Sequence, residues 1–283
     1  MNFQTLIGVV LVLSIHATCS YVKGRWFDRI FIVFFENQAY SQTIKDPTFK
    51  AVAEMGTLMN NFYGLTHPSQ PNYLGTIAGN YWHRHIDLDV DLDYTTVVDL
   101  LEAKNITWKS YQEDYPGGVN NCFKGSQYPY MRKHNPFMSF KNIRETKRCD
   151  NIVNAKELEE DIKKKSLPQY MFYTPNMLNN AHDTGLKGAS SFLGPFIQNL
   201  HSNEHFMNNT LVVLTFDEDD YYHITNRVYT VVIGPMVGKN QIDENQYNLY
   251  SILKTVEDNW NLGSLGRREE HVNAFSFKNK TRY

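Results

Sequence analysis

Three apolar runs in this sequence each break off into residues that can coordinate or catalyse. IFIVFF at 30–35 leads into Glu36-Asn37, and YMFYT at 170–174 leads into Pro175-Asn176 and soon after into His182-Asp183. LVVLTF at 211–216 leads into Asp217-Glu218-Asp219-Asp220. Any one of these pairs serves equally well as a turn or a helix cap. All three at the ends of strand-like runs point to one shared site, because loops meet outside the carboxyl ends of an open parallel sheet. Carboxylate and amide oxygens without a cysteine among them suit a divalent cation that prefers oxygen ligands.

The segment THPSQPNYL at 66–74 adds a nucleophile. Ser69 lies between Pro68 and Pro71, whose rings restrict the backbone on either side. A serine hydroxyl is a poor nucleophile until a metal or a base favours its deprotonation. Beside a cation held by Glu36 and Asp217, Ser69 would attack as an alkoxide, with His182 as general acid or base. Without that context the same nine residues read as a Pro-rich turn.

The elements that must position these groups follow from the spacing of apolar residues. Strands are expected at 30–35, 107–111, 170–174, 211–216 and 228–233, and helices at 96–103, 191–200 and 247–260. Strand and helix alternate in that order, which predicts a mostly parallel central sheet covered on both faces, an α/β/α sandwich in one domain over 21–283. The stretch 112–150 is different: it is rich in Gly, Pro, Asn, Lys and Arg, and reads as a long excursion over the sheet. Lys163-Lys164-Lys165 reads as the solvated end of a helix.

Composition narrows the setting. With 42% hydrophobic and 14% aromatic residues, the 283-residue chain is too apolar to stay disordered. A formal charge of −2, from 28 basic and 30 acidic residues, argues against a nucleic-acid partner. Residues 1–20 carry no charged side chain, and their apolar run at 6–15 is too short to span a bilayer of about 30 Å. Ala17-Thr18-Cys19 follows with small residues, so 1–20 reads as a secretory signal peptide, with a buried first helix as the other reading. No other stretch is long or apolar enough for a membrane span. Loss of Cys19 leaves Cys122 and Cys149, which in a secreted chain most simply form one disulfide pinning the 112–150 excursion; two buried thiols are the alternative. Asn105, Asn208 and Asn279 head Asn-x-Thr sequons, which fit glycosylation in that compartment.

Taken together, FFENQAY at 34–40, THPSQPNYL at 66–74, YPYMRKHNPF at 128–137, TPNMLNNAHDTG at 174–185 and VLTFDED at 213–219 resemble the phosphoesterase family. That family contains the secreted fungal-type acid phosphatases and the bacterial phospholipase C enzymes. The similarity continues through NRVYTVVIGP at 226–235 and YSILKTVEDNWNLGSLGR at 250–267, and so covers nearly all of 21–283 in order. The resemblance implies an alkaline-phosphatase-like fold, one divalent metal cation and a small phosphate-ester substrate. It makes Glu36, Asn37, Asp217 and Glu218 metal ligands together with Ser69, the nucleophile of a phosphoseryl intermediate. His182 and Asp183 would stand near the leaving group, and His67, Asn72, Lys133 and His134 would line the phosphate pocket.

Two local features stand apart. Where family members commonly carry Asn-His-Tyr-Ser, this chain has Asn248-Leu249-Tyr250-Ser251, so a histidine is replaced by Leu249. HIDLDVDLDY at 85–94 alternates Asp87, Asp89, Asp91 and Asp93 with apolar residues. On a strand these carboxylates would share one face; the segment reads as an edge strand or extended loop kept soluble by charge, or as a secondary calcium or cationic-surface site. A secreted acid phosphatase acting on monoesters is the leading expectation. A phospholipase C-type phosphodiesterase and a non-catalytic cation-binding protein are the alternatives.

Overall fold

The computed structural model describes residues 21–222 and 225–277. The expected leader at 1–20 and the sequon at Asn279 lie outside the described residues. Eight strands form one sheet in the order β4-β3-β5-β1-β6-β7-β2-β8. They are β1 (Arg29–Phe35), β2 (Thr57–Tyr63), β3 (Trp108–Gln112), β4 (Ile152–Asn154), β5 (Tyr170–Thr174), β6 (Thr210–Phe216), β7 (Thr230–Ile233) and β8 (Gln241–Asn248). Pairing is parallel throughout except where β7 runs antiparallel between β6 and β2. The expected mostly parallel α/β/α sandwich is the observed fold.

The centre of the sheet follows from continuous apolar sequence. All seven residues of β1, all five of β5 and all seven of β6 are buried, as strands covered on both faces must be. Successive side chains of a strand point to opposite faces, and β1 shows what covers each. Phe34 packs on Tyr73 of the Ser69–Ala78 helix, whereas Phe35 packs on Phe49 of the Pro47–Glu54 helix and Phe192 of the Gly185–Ser202 helix. Helices therefore lie on both faces, and each fully buried phenylalanine contributes roughly 1.5–3 kcal/mol. The 96–103 helix begins where Thr96 and Asp99 form a capping box, and the last long helix, Leu249–Trp260, begins with another from Asn248 and Ser251.

Three strands have no counterpart in the sequence reading. β2 and β8 pair with each other in parallel and close one side of the sheet; β4 is a three-residue strand closing the other. The 112–150 excursion is also more than a cover. Cys122 and Cys149 are joined in a disulfide across 27 positions, but Phe137, Met138, Phe140 and Ile143 between them are wholly buried. Phe137 stacks on Trp108 and meets Phe172 edge-on, so this stretch completes the core. Lys163, Lys164 and Lys165 are exposed at the end of the Glu157–Lys163 helix, as expected.

Candidate active site

Strand register brings the first two acidic groups together. β1 and β6 are parallel neighbours with Phe35 opposite Phe216, so the next residues, Glu36 and Asp217, emerge side by side at the carboxyl edge. The Asn37 amide, at φ +32°, donates to Asp217 Oδ1 at 3.2 Å and ties the two strand ends together. Ser69 arrives from the other direction, as the first residue of a helix that follows β2. Pro71 is tolerated there because the first helical turn leaves its amides unpaired anyway. The segment that also reads as a Pro-rich turn is thus the start of a helix, all ten of whose residues are buried.

The Ser69 hydroxyl lies 2.9 Å from Glu36 Oε2, 3.1 Å from Glu218 Oε1 and 3.3 Å from Asn37 Oδ1. One hydroxyl proton serves one of these oxygens at a time, so the others face its lone pairs. Glu36, Asp217 and Glu218 are fully buried, and Asp217 Oδ2 has no hydrogen-bond partner. Burial pushes the Glu36 carboxyl up to about 8, opposed by the Tyr73 hydroxyl and the Lys133 charge. Burial also raises Asp217 well above the usual range, and the charges of Glu36 and Glu218 add to it.

Positive charge around this cluster is scarce. Lys133 is the ammonium that acts on Glu36. Burial works against its charge, but a 2.8 Å ion pair with Asp87 leaves its pKa above the ordinary value. His134 Nε2 lies 3.3 Å from Glu36 Oε1 without the alignment of a hydrogen bond. Burial, then the neighbouring Lys133 and His182, hold that imidazole well below its usual pKa, so it contributes no charge. His67 Nδ1 contacts Glu218 Oε2, its Nε2 is buried without a partner, and its ring is covered by Tyr222 at 4.2 Å.

Three buried carboxylates with so little compensation are unfavourable by themselves. Their oxygens, with Asn37 and the Ser69 hydroxyl, form a donor set suited to a divalent cation. Among the described residues, no three His, Cys, Asp or Glu side chains already converge as ligands on one point. The fit is one of charge and donor chemistry.

The remaining expected residues divide into two groups. His182 Nδ1 bonds Asp183 Oδ1 at 2.8 Å, and the His182 ring stands 6.1 Å from that of His134. Ala181 just before it has φ +88°, a conformation an alanine adopts only when its surroundings impose it. Asn72 is placed differently from the pocket-lining position that the resemblance implies. Its side chain accepts from the Leu65 and Thr66 amides and donates to the Thr66 and Pro68 carbonyls, so it braces the loop before Ser69. Leu249 is wholly buried in the core, and offers no polar group.

Sequence reasoning missed two contributors. Glu113, directly after β3, accepts from the Asn176 amide and the Asn179 side chain and so holds the loop carrying His182. Its position at the end of a core strand was the available signal. Asp87 is the other. The 85–94 segment takes the loop rather than the strand of the two expected forms, and three of its four aspartates are paired. Asp87 pairs with Lys133, Asp89 with Arg132 at 3.2 Å, and Asp91 with Arg144 at 2.6 Å. The two arginines are nearly buried, and buried charge requires a partner. These carboxylates are therefore committed to basic residues, which removes the secondary cation site.

The fold is an alkaline-phosphatase-like sandwich, with a serine and buried carboxylates gathered at the carboxyl ends of its core strands. A solved alkaline phosphatase superfamily protein from Vibrio parahaemolyticus superimposes with a TM-score of 0.60 at 12% identity, covering 87% of this chain and 70% of that one. Residues 34–263 match the Phosphoesterase family, and the chain belongs to it. It is 38% identical over 264 residues to a probable acid phosphatase of Kluyveromyces lactis and 37% identical over 285 residues to an acid phosphatase of Aspergillus fumigatus. The alignments take in 89% and 95% of this chain but 63% of each relative, so the chain spans less than two thirds of their length.

Proposed function

We propose that this chain is a secreted phosphoric monoester hydrolase, of the acid phosphatase kind, with Ser69 as nucleophile. The single observation that carries this is the Ser69 hydroxyl within 3.3 Å of Glu36, Asn37 and Glu218, at the carboxyl ends of adjacent core strands. Glu36, Asn37, Asp217 and Glu218, with Ser69, would hold one divalent cation. When bound, it supplies charge neutralisation at the serine oxygen and at the transferring phosphoryl group.

The residues divide the work by position. Ser69 Oγ forms the bond to phosphorus and passes its proton to a neighbouring carboxylate. The ester oxygen leaves as its own bond to phosphorus breaks, taking a proton from His182, whose ring Asp183 orients through Nδ1. Water then attacks the phosphoseryl phosphorus and gives a proton back to His182 as the Ser69 Oγ–phosphorus bond breaks; the serine oxygen recovers its proton from the carboxylate, and phosphate is released. Lys133 supplies donors for the phosphoryl oxygens. The Cys122–Cys149 disulfide and the exposed sequon residues Asn105 and Asn208 support an oxidising, glycosylating compartment. Among the described residues, no helix is long and apolar enough to cross a membrane.

The test is hydrolysis of p-nitrophenyl phosphate by the wild-type and Ser69→Ala proteins, with and without chelator. Turnover is expected to fall by about a thousandfold or more without the nucleophile, and trapping at acid pH should give a phosphoserine absent from the variant. Unchanged turnover in Ser69→Ala sinks the assignment. Exposed Leu88, Tyr128, Leu178 and Tyr222 on the loops around the site give the phospholipase C-type reading a specific basis. Faster cleavage of phosphatidylcholine than of the monoester would favour it.

A further inference from the structure

One carboxylate outside the proposed machinery touches two parts of it at once. Asp87 Oδ1 accepts from the Gln70 amide at 2.9 Å, in the first turn of the helix that begins at Ser69. Its other oxygen, Oδ2, accepts from Lys133 Nζ at 2.8 Å. The two contacts use both oxygens of one rigid group, so the lysine is held in register with the backbone next to the nucleophile.

We propose that Asp87 is a positioning residue for phosphoryl binding, fixing Lys133 relative to Ser69. This rests on the reading of Ser69 and Lys133 given above. A lysine ammonium is a point charge on a flexible four-carbon stem. Left alone, it loses rotamer freedom each time it engages a phosphoryl oxygen. The charge-assisted bond to Asp87 removes that freedom beforehand. It occupies one of the three ammonium protons, and no other side-chain acceptor engages Lys133 among the described residues. Two donors remain for a phosphate, next to the carboxylates of Glu36 and Asp217, whose charges act on this lysine.

The backbone that presents Asp87 is held independently of it. The Leu92 amide donates to the Ser139 carbonyl at 2.8 Å, and the Lys141 amide to the Leu92 carbonyl at 2.9 Å. Asp89 and Asp91 clamp the same segment to Arg132 and Arg144. Removing the Asp87 carboxylate therefore leaves the segment in place, and its effect is confined to Lys133 and the first turn of the helix.

The experiment is a double-mutant cycle on the full chain, using Asp87→Ala, Lys133→Ala and the double variant. kcat/KM for p-nitrophenyl phosphate and the inhibition constant of inorganic phosphate are measured for each, beside the melting temperature. Asp87→Ala is expected to lower kcat/KM and weaken phosphate inhibition about tenfold, while the double variant matches Lys133→Ala alone. Asp87→Asn keeps an acceptor for the Gln70 amide and is expected to retain the melting temperature but still bind phosphate more weakly. Additive losses in the double variant, or wild-type phosphate inhibition in Asp87→Asn, overturn the inference. Ser69→Ala in parallel separates the two claims. If it stays active, the site reading fails. If it is inactive while the Asp87 variants behave as wild type, only the role of Asp87 falls.

Discussion

Asp217→Asn should make the protein more stable in chelator and less responsive to cations. Asp217 is fully buried, its Oδ2 has no partner, and its charge faces those of Glu36 and Glu218. Asparagine has nearly the same shape but carries no charge and puts an amide donor in place of the one unpartnered oxygen of the cluster. Relief of one unsatisfied buried polar group amounts to about 2 kcal/mol, which at this chain length is about 5 °C in melting temperature. A cation bound only by the folded state adds about 2.7 kcal/mol at a hundred times its dissociation constant, which at the same conversion is about 6 °C. In EDTA, then, the variant should melt above the wild type, whereas in a saturating divalent cation the order should reverse. Differential scanning fluorimetry across a panel of divalent cations reads both limbs. A variant less stable than wild type in EDTA, or one with the full cation-induced rise, would refute the charge argument.

Two further outcomes test parts of the scaffold. Burial, followed by the charge of Glu269, pushes the Glu257 carboxyl from 4.5 up to about 8. The folded state thus holds this proton more tightly than the unfolded chain. Its stabilising contribution is complete below pH 4.5 and is lost as pH rises through about 8. Melting temperatures measured from pH 4 to 9 should fall across that window in the wild type and less steeply in Glu257→Gln; parallel curves would contradict this. Gly79 ends the Ser69–Ala78 helix at φ +65°, and an added Cβ there would stand 1.9 Å from Glu269 Oε2. Gly79→Ala should lose about 1–3 kcal/mol in denaturant unfolding, from strain and displacement of a buried carboxylate; a neutral result would show that the turn can rearrange.

The sheet was legible in proportion to how deeply its strands are buried. β1, β5 and β6 stand out because covering both faces demands unbroken apolar sequence. β8 reads QIDENQYN and is largely exposed; it is a strand because β2 offers it backbone partners. β2 carries Asn60 and Asn61 in its middle: Asn60 serves Tyr40, Arg227 and Glu244, and Asn61 donates to the Glu244 carbonyl, all distant along the chain. No local window records such partners. The same division holds at the site. Glu36 and Asp217 could be found from the ends of core strands. Asp87 could not, because what selects it from four similar aspartates is a lysine 46 positions away. Asn72 shows the converse: its motif is plain, but the four bonds that occupy its amide are visible only in the fold.

The helix that carries Ser69 has no face open to water. Tyr73 and Phe34 lock it to the sheet, and the Leu249–Trp260 helix packs along it. The residues that meet solvent around the site, among them Leu88, Tyr128, Leu178 and Tyr222, all belong to separate loops. Ser69 is thereby insulated from changes at the rim, whereas Leu88 and Leu178 share their loops with Asp87 and His182. Under the proposed function, new specificities are best sought by replacing single rim side chains, which leaves the backbone of those loops as a constant.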